Sequence, residues 1–370
     1  MSAIGQASTP GDRVLLTVGP VIRRLHGRRA LHQMRNESCR PYEIAMRPLG
    51  HRVSAIVTAY NGASFVADAI ESILAQTRPV DEIAVVDDGS TDNTAEIVES
   101  YRPFGVRCIR QENRGIPRAR NRGISETTGD LIAFLDCDDT WLPDKNALQL
   151  DYLLAHPEAA LVSGHAWWWD PMSDRRWIER IGTRRSKLRR ELMIQNCVGN
   201  ASGAIVRRRI LEEVGLFDPA QIWAEDWELW MRVASRGEIA FIERPLIVYR
   251  VVPTSLTHQR GWERTSGYFN LSFKAIKTFR PACWRPILWA RAWSKRELVW
   301  ATIALDQRLG RRAYLHHAAL ALLSYPFEQP CAKLKHFVRA ITGSAFVRGY
   351  RYLKESIAAL ARRFVDPRRY

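Results

Sequence analysis

The stretch from Val53 to Thr94, VSAIVTAYNGASFVADAIESILAQTRPVDEIAVVDDGSTDNT, decides the fold. Val53 to Ala59 is a short apolar run of strand length. Between Ser64 and Gln76, the residues Phe65, Ala69, Ile70, Ile73 and Leu74 fall on one helical stripe, and Ile83 to Val86 is a second apolar run. The order is therefore strand, helix, strand. Working outward, the alternation continues with a helix from about Thr91 to Tyr101, a strand Val106 to Ile109, a helix from about Pro117 to Thr127 and a strand Leu131 to Leu135. Near-continuous apolar strands between amphipathic helices predict an α/β fold with a mostly parallel sheet and helices on both faces. Further along come a helix ending near His156, a strand near Ala160 to Ser163, a Trp- and Arg-rich stretch and a strand near Ala204 to Val206. A helix from about Trp227 to Ser235 and two short elements, Ile239 to Ile242 and Leu246 to Arg250, follow. Beyond His258 the pattern is helical.

The chain has 370 residues, enough for one large domain with an appendage. Its net charge of +16 raises the question of nucleic acid. The charge sits at the ends: residues 1–50 hold eight Arg against three acids, and residues 331–370 hold ten Lys/Arg against two. That placement suits contact with an anionic surface better than a nucleic-acid-reading core, and no nucleic-acid-binding motif accompanies it. Six dispersed cysteines without C-x-x-C spacing imply neither zinc nor a disulfide framework, and so a reducing compartment. Val14 to Ile22 is broken by Gly19 and Pro20 before it forms a signal core, and no run of about 18 or more apolar residues appears. The expectation is a cytoplasmic protein, peripheral at most to the inner face of the membrane. Its expected partition is a flexible leader or over-extended start over 1–50, an α/β domain over 51–260 and a helical region with a basic amphipathic tail over 261–370.

Ligands in open α/β sheets bind beyond the carboxyl ends of strands. Here the first strand ends in Thr58-Ala59-Tyr60-Asn61-Gly62, the second in Asp87-Asp88-Gly89-Ser90 and the fourth in Asp136-Cys137-Asp138-Asp139. Acidic strand ends converging on one edge repel one another unless a cation sits among them, and carboxylates suit Mg2+ or Mn2+. The bland alternative is that Asp88, Ser90 and Asp92 make turns and cap the next helix. Similarly, Asp226 is either an N-cap or a functional carboxylate at the start of a helix striped with Trp227, Trp230, Val233 and Ala234.

Five segments in order, VSAIVTAYNGASFVADAIESILAQT, VVDDGSTDNT, ENRGIPRARNRGI, GDLIAFLDCDD and AEDWELWMRV, resemble glycosyltransferase family 2 and its GT-A fold, over about residues 52–258. The resemblance implies an inverting, metal-dependent transfer of a sugar from a nucleotide-sugar, with UDP favoured, to an acceptor hydroxyl. Cell-surface polysaccharide or glycolipid synthesis is the implied setting. Carried over residue by residue, it places Thr58, Ala59, Tyr60, Asp87 and Asp88 at the nucleotide, with Tyr60 able to stack on the base. Asn113 and Arg120 border the donor. Arg118, Arg120 and Arg122 lie on or near one helix and cannot all point inward, and Arg120 is the one favoured for the phosphates. Asp136-Cys137-Asp138 fits the D-x-D motif, with Asp136 near ribose and metal, Asp138 on the metal and Cys137 at the variable position. Asp226 resembles the general base. Glu225, Trp227 and Ser202 fall on the acceptor side, and His258 where a third metal contact occurs in some GT-A enzymes. Trp167, Trp168, Trp169, Trp177 and Trp223 either stack on sugar rings or pack. The implied partners are the nucleotide-sugar and a glycan or lipid-linked acceptor; the basic tail either contacts an anionic membrane or packs on the domain or pairs in a homodimer.

Other readings fit less well. A nicotinamide-dependent dehydrogenase needs a Gly-rich turn that Thr58 to Gly62 lacks. A membrane-embedded processive synthase carries Q-x-x-R-W, whereas Gln259-Arg260-Gly261-Trp262 has the letters at the wrong spacing. A degenerate binder or scaffold is opposed by intact Asp138 and Asp226. Met46 stands shortly before the first strand, where members of the family commonly begin, so residues 1–45 are expected to be dispensable.

Overall fold

The computed structural model describes residues 51–252, 262–306 and 311–325, with isolated positions as far as 336. The leader, His258, the boundary near Gly261 and most of the basic tail lie outside the described residues.

Among the described residues nine strands form one sheet: β1 (Val53–Ala59), β2 (Glu82–Asp87), β3 (Val106–Arg110), β4 (Leu131–Asp136), β5 (Thr140–Trp141), β6 (Ala159–Asp170), β7 (Arg175–Glu179), β8 (Ile205–Arg207) and β9 (Glu238–Arg250). Their order is β3-β2-β1-β4-β8-β6-β9-β5, with β7 beside β6. The first four are parallel, β8 runs antiparallel to β4 and to β6, and β6 and β9 are parallel again. The helices are α1 (Val66–Leu74), α2 (Thr94–Ser100), α3 (Ile116–Ser125), α4 (Lys145–Ala155), α5 (Leu188–Glu191), α6 (Arg208–Val214), α7 (Glu225–Val233), α8 (Trp262–Thr278), α9 (Arg285–Asp306) and α10 (Arg311–Ser324).

Alternation along the strands divides the core in two. Ala55, Val57, Ala133 and Leu135 point to the face covered by α1, α2 and α4, through Ile70, Val98 and Leu153. Ile56, Ile132 and Phe134 point to the opposite face, with Ile124 of α3 and Trp227 and Trp230 of α7. Each fully buried Ile or Leu contributes about 1.5–3 kcal/mol, so a sheet buried on both faces is stabilised twice over.

The second half of the chain departs from the sequence reading. Ile239 to Ile242 and Leu246 to Arg250 are one strand. Bulges where Gly164 pairs with Ile242, His165 with Pro245 and Ala166 with Ile247 absorb Glu243, Arg244 and Leu246 without ending the ladder. The Trp-rich stretch is likewise the continuation of β6, which pairs with β7 as Trp168 to Trp177 and with β9 as Trp168 to Tyr249. Leu74, expected on the buried stripe, is 39% exposed at the end of α1. Among the described residues no helix is long and apolar enough to cross a membrane, and the four described cysteines are free.

Candidate active site

The parallel strands β1, β2 and β4 deliver their carboxyl ends to one edge. Thr58 lies opposite Asp136 in the ladder and Ala59 opposite Asp87. Tyr60, just past β1, is 50% exposed and free to meet a planar ligand. Thr58 does not face outward: its hydroxyl donates to Asp136 Oδ1 at 3.2 Å. Ala59 is buried in the core.

Asp88 has a definite local task. Its Oδ1 accepts from Gln111 Nε2 at 2.7 Å and Arg114 N at 2.9 Å, and its Oδ2 from Gly115 N at 2.8 Å. It thereby folds the 111–115 loop, including Asn113, against the end of β2. Gly89 makes this approach possible, because at φ +80° a Cβ would lie 2.7 Å from the Asn113 nitrogen. Asp87 is buried, accepting from Ser90 N at 3.0 Å and pairing with Arg110 Nε at 3.3 Å. Asp92, rather than Asp88, bonds at the entrance to α2, accepting from Thr94 N at 3.1 Å.

Arg120 alone of the three arginines turns inward; it is 2% exposed, while Arg118 and Arg122 face solvent. Its guanidinium donates to Asp136 Oδ1 at 2.8 Å and to Glu225 Oε1 at 2.7 Å, and it lies over the Phe217 ring. One buried cation thus joins the end of β4 to the first turn of α7.

The Asp136–Asp139 loop holds its charges under compression. Burial, then the neighbouring Asp136, pushes the Asp138 carboxyl up to about 6. Asp139 is also raised by burial and by Asp138 and Asp136, although Ser202 Oγ donates to it at 2.6 Å, Asn200 Nδ2 at 3.0 Å and Arg250 N at 3.2 Å. Burial and the same carboxylates keep the Cys137 thiol protonated. Its sulfur packs so near Gly62 that a Cβ there would sit 2.7 Å away.

In the ED pair, Ala224 adopts a left-handed φ of +60° and starts α7, so Asp226 lies inside the first turn and is not the N-cap. Its Oδ1 accepts from Trp227 N at 2.6 Å and its Oδ2 lies 3.4 Å from Asn196 Nδ2. Burial foremost, then Glu225, raises its pKa to about 7, against the pull of Arg120.

Two residues expected on the acceptor side are buried. Ser202 is fully buried and spans the acidic loop, donating to Asp139 and accepting from Asp136 N at 3.1 Å. Trp227 is 2% exposed, with Nε1 donating to the Leu192 carbonyl at 2.7 Å. Both shape the site from beneath; neither offers an acceptor a surface. Of the other tryptophans, Trp168 packs between Tyr249 and Trp177, with ring centroids 4.3 and 5.7 Å away. Trp223 borders a hollow lined by Gln221, Asn270 and Lys274.

Sequence reasoning missed Arg250. Its guanidinium pairs with Asp68 at 2.8 Å, lies over Phe65 and Trp169, and lowers the charge burden on Asp138. The signal was available, since Arg250 ends a strand, but the adjacency of β9 to β5 was not. No comparable signal marked Asn196, which lies 3.4 Å from Asp226.

Asp136 and Asp138 are hard oxygen donors, and the raised Asp138 carboxyl is what a nearby cation would relieve, so the pair fits Mg2+ or Mn2+. Among the described residues no group of three or more His, Cys, Asp or Glu side chains forms a metal cage. A cation here would need further oxygens, such as those of a diphosphate.

Residues 54–215 match the profile described as Glycosyl transferase family 2. An uncharacterised glycosyltransferase of Nostoc is 33% identical over 213 residues, 54% of this chain and 65% of its own length, so the chain spans just under two-thirds of that relative. A putative teichuronic acid biosynthesis glycosyltransferase of Bacillus subtilis is 26% identical over 66% of this chain and 97% of its own. Among solved structures, a mannosyltransferase from Pyrobaculum calidifontis in complex with GDP-Man and Mn2+ superposes with a TM-score of 0.53 at 22% identity, covering 91% of this chain and 94% of its own. That likeness shows the GT-A fold.

Proposed function

We propose that the chain, whose residues 54–215 match the model described as Glycosyl transferase family 2, is an enzyme of that family and transfers a sugar from a nucleotide-sugar to an acceptor hydroxyl with inversion. The observation that carries this reading is the Arg120 bridge. Asp136 and Glu225, 89 residues apart in sequence, meet on one buried guanidinium at 2.8 and 2.7 Å. That junction supports reading the D-x-D loop and the Asp226 carboxylate as parts of one site.

Tyr60 offers a ring to the nucleotide base, and the loop folded by Asp88 borders it. Asp136 and Asp138 would hold a divalent cation, whose chemistry is to stabilise the charge growing on the departing diphosphate. On the other side, Asp226 takes the acceptor proton as the acceptor oxygen forms its bond to the anomeric carbon. The bond to the nucleoside diphosphate breaks with its electron pair leaving on the phosphate, and attack from the opposite face inverts the centre. A pKa near 7 makes Asp226 a stronger base than an ordinary carboxylate while leaving it substantially ionised at neutral pH.

UDP is favoured through Tyr60 and Asp88, although the Pyrobaculum structure holds a GDP-sugar. The Bacillus relative's name supports an envelope polysaccharide as the setting. Thermal melts with UDP- and GDP-sugars, with Mn2+ or with EDTA, test the reading: a ligand at about 100 times its Kd stabilises by about 2.7 kcal/mol. Stabilisation by one class that EDTA abolishes is the expected result; none from any nucleotide-sugar would refute donor binding.

A further inference from the structure

A second polar concavity lies away from the acidic loop. Residues 184–190 read Arg-Arg-Ser-Lys-Leu-Arg-Arg, five cations in seven positions with no acid. The fold sets the end of this run against the turn between α8 and α9. The result is a hollow of about 270 Å³ lined by Ser186, Arg189, Arg190, Arg280, Phe279 and Trp284.

Its electrostatics are one-sided. Nearby, Arg291 takes Glu191 at 3.0 Å and Arg185 takes Glu238. Among the described residues, none of Arg189, Arg190 and Arg280 has an ion-pair partner. Arg190 lies over the Trp284 ring at 4.2 Å, which fixes one guanidinium plane at the wall and leaves an aromatic surface beside it. Arg189, Arg190 and Arg280 line one hollow with no carboxylate among its lining residues, and their forked donors match the oxygens of phosphate. The position also bears on the acidic site. The chain carrying Arg189 and Arg190 continues to Leu192, whose carbonyl holds Trp227, and to Asn196 beside Asp226.

We propose that this hollow binds a phosphate or diphosphate group carried by the acceptor, with Trp284 covering the organic part next to it. Calling the occupant an acceptor rests on the transferase reading; the anion site does not.

The test is titration of the full chain with inorganic pyrophosphate in EDTA, comparing the wild type with Arg189→Gln/Arg280→Gln. Both arginines are exposed, so the variant should melt as the wild type does, and it should keep any nucleotide-sugar stabilisation. In parallel, both proteins are sedimented with phosphatidylcholine vesicles containing phosphatidylglycerol. The expected result is a loss of pyrophosphate affinity of about 10-fold or more, as removal of charge-assisted hydrogen bonds produces, with vesicle binding unchanged. If vesicle binding falls together with pyrophosphate affinity, the site stands and the phosphate is that of a lipid headgroup. Equal pyrophosphate affinity in the two proteins would overturn the proposal. Failure of the wild type to bind any nucleotide-sugar, with pyrophosphate binding intact and sensitive to the variant, would remove the transferase reading and leave the anion site.

Discussion

At the scale of single residues, Asp226 and Arg120 carry distinct burdens. Asp226 is held near a pKa of 7 by burial and by Glu225. A base must be deprotonated to act, so the rate should climb as pH rises through about 7 and level off above it; a pH profile of turnover checks this. Asp226→Asn should lower turnover by about 100-fold or more, as loss of a general base does, while titration calorimetry shows donor binding retained. Wild-type turnover in that variant would sink the assignment. Arg120→Ala leaves Asp136 and Glu225 facing each other without their shared cation. Removing one member of a buried ionic group typically costs about 3–5 kcal/mol, so urea unfolding should show a loss of that order. An unchanged midpoint would mean that the bridge is not maintained in solution.

Secondary elements act here mainly through what their ends hold. The β2 end and the 111–115 loop are locked together by Asp88, and Gly89 is the contact point. In Gly89→Ala the new methyl would both strain a positive φ and press on the Asn113 nitrogen, expected to cost about 1–3 kcal/mol. Because the same displacement pulls the loop away from Asp88, nucleotide-sugar affinity should fall with stability. Affinity unchanged despite the stability loss would separate this loop from the donor site. Helix α7 shows the reverse relation, where an end is defined by backbone geometry. The left-handed Ala224 begins the helix without a side-chain cap, so Asp226 sits inside the first turn and not at the N-cap.

For the whole molecule, the charge distribution makes the strongest demand. The last forty residues hold half of the net charge of +16, and Leu334, Phe337, Val338 and Ile341, then Tyr350, Leu353, Ile357, Leu360 and Phe364, recur at helical spacing. A basic sequence with this amphipathic periodicity suits an anionic leaflet. The full chain should co-sediment with anionic liposomes in low salt, whereas a chain ending near Gln329 should not. Equal sedimentation of the two would leave packing or dimerisation as the role of the tail. At the other end, a protein starting at Met46 should bind donor as the full chain does; a large fall in its melting temperature would make the leader structural.

The sequence alone determined the order of the parallel elements and the identity of the strand-end acids. Strand periodicity and the position of a residue just after a buried run are local properties, written within a few residues. It also made clear that Arg118, Arg120 and Arg122 cannot all face inward, because helical geometry fixes their angular spread. Tertiary structure decided what each side chain meets. That Thr58 and Ser202 hydrogen-bond to the acidic loop, that Trp227 is buried, and that Arg250 stands beside Asp139 all depend on which strands become neighbours. Those adjacencies join residues roughly 60 to 110 positions apart, and the pleat pattern of one strand says nothing about its partner. The raised pKa of Asp226 belongs to the same class, since burial and the proximity of like charges exist only once α7 is packed against the end of β4.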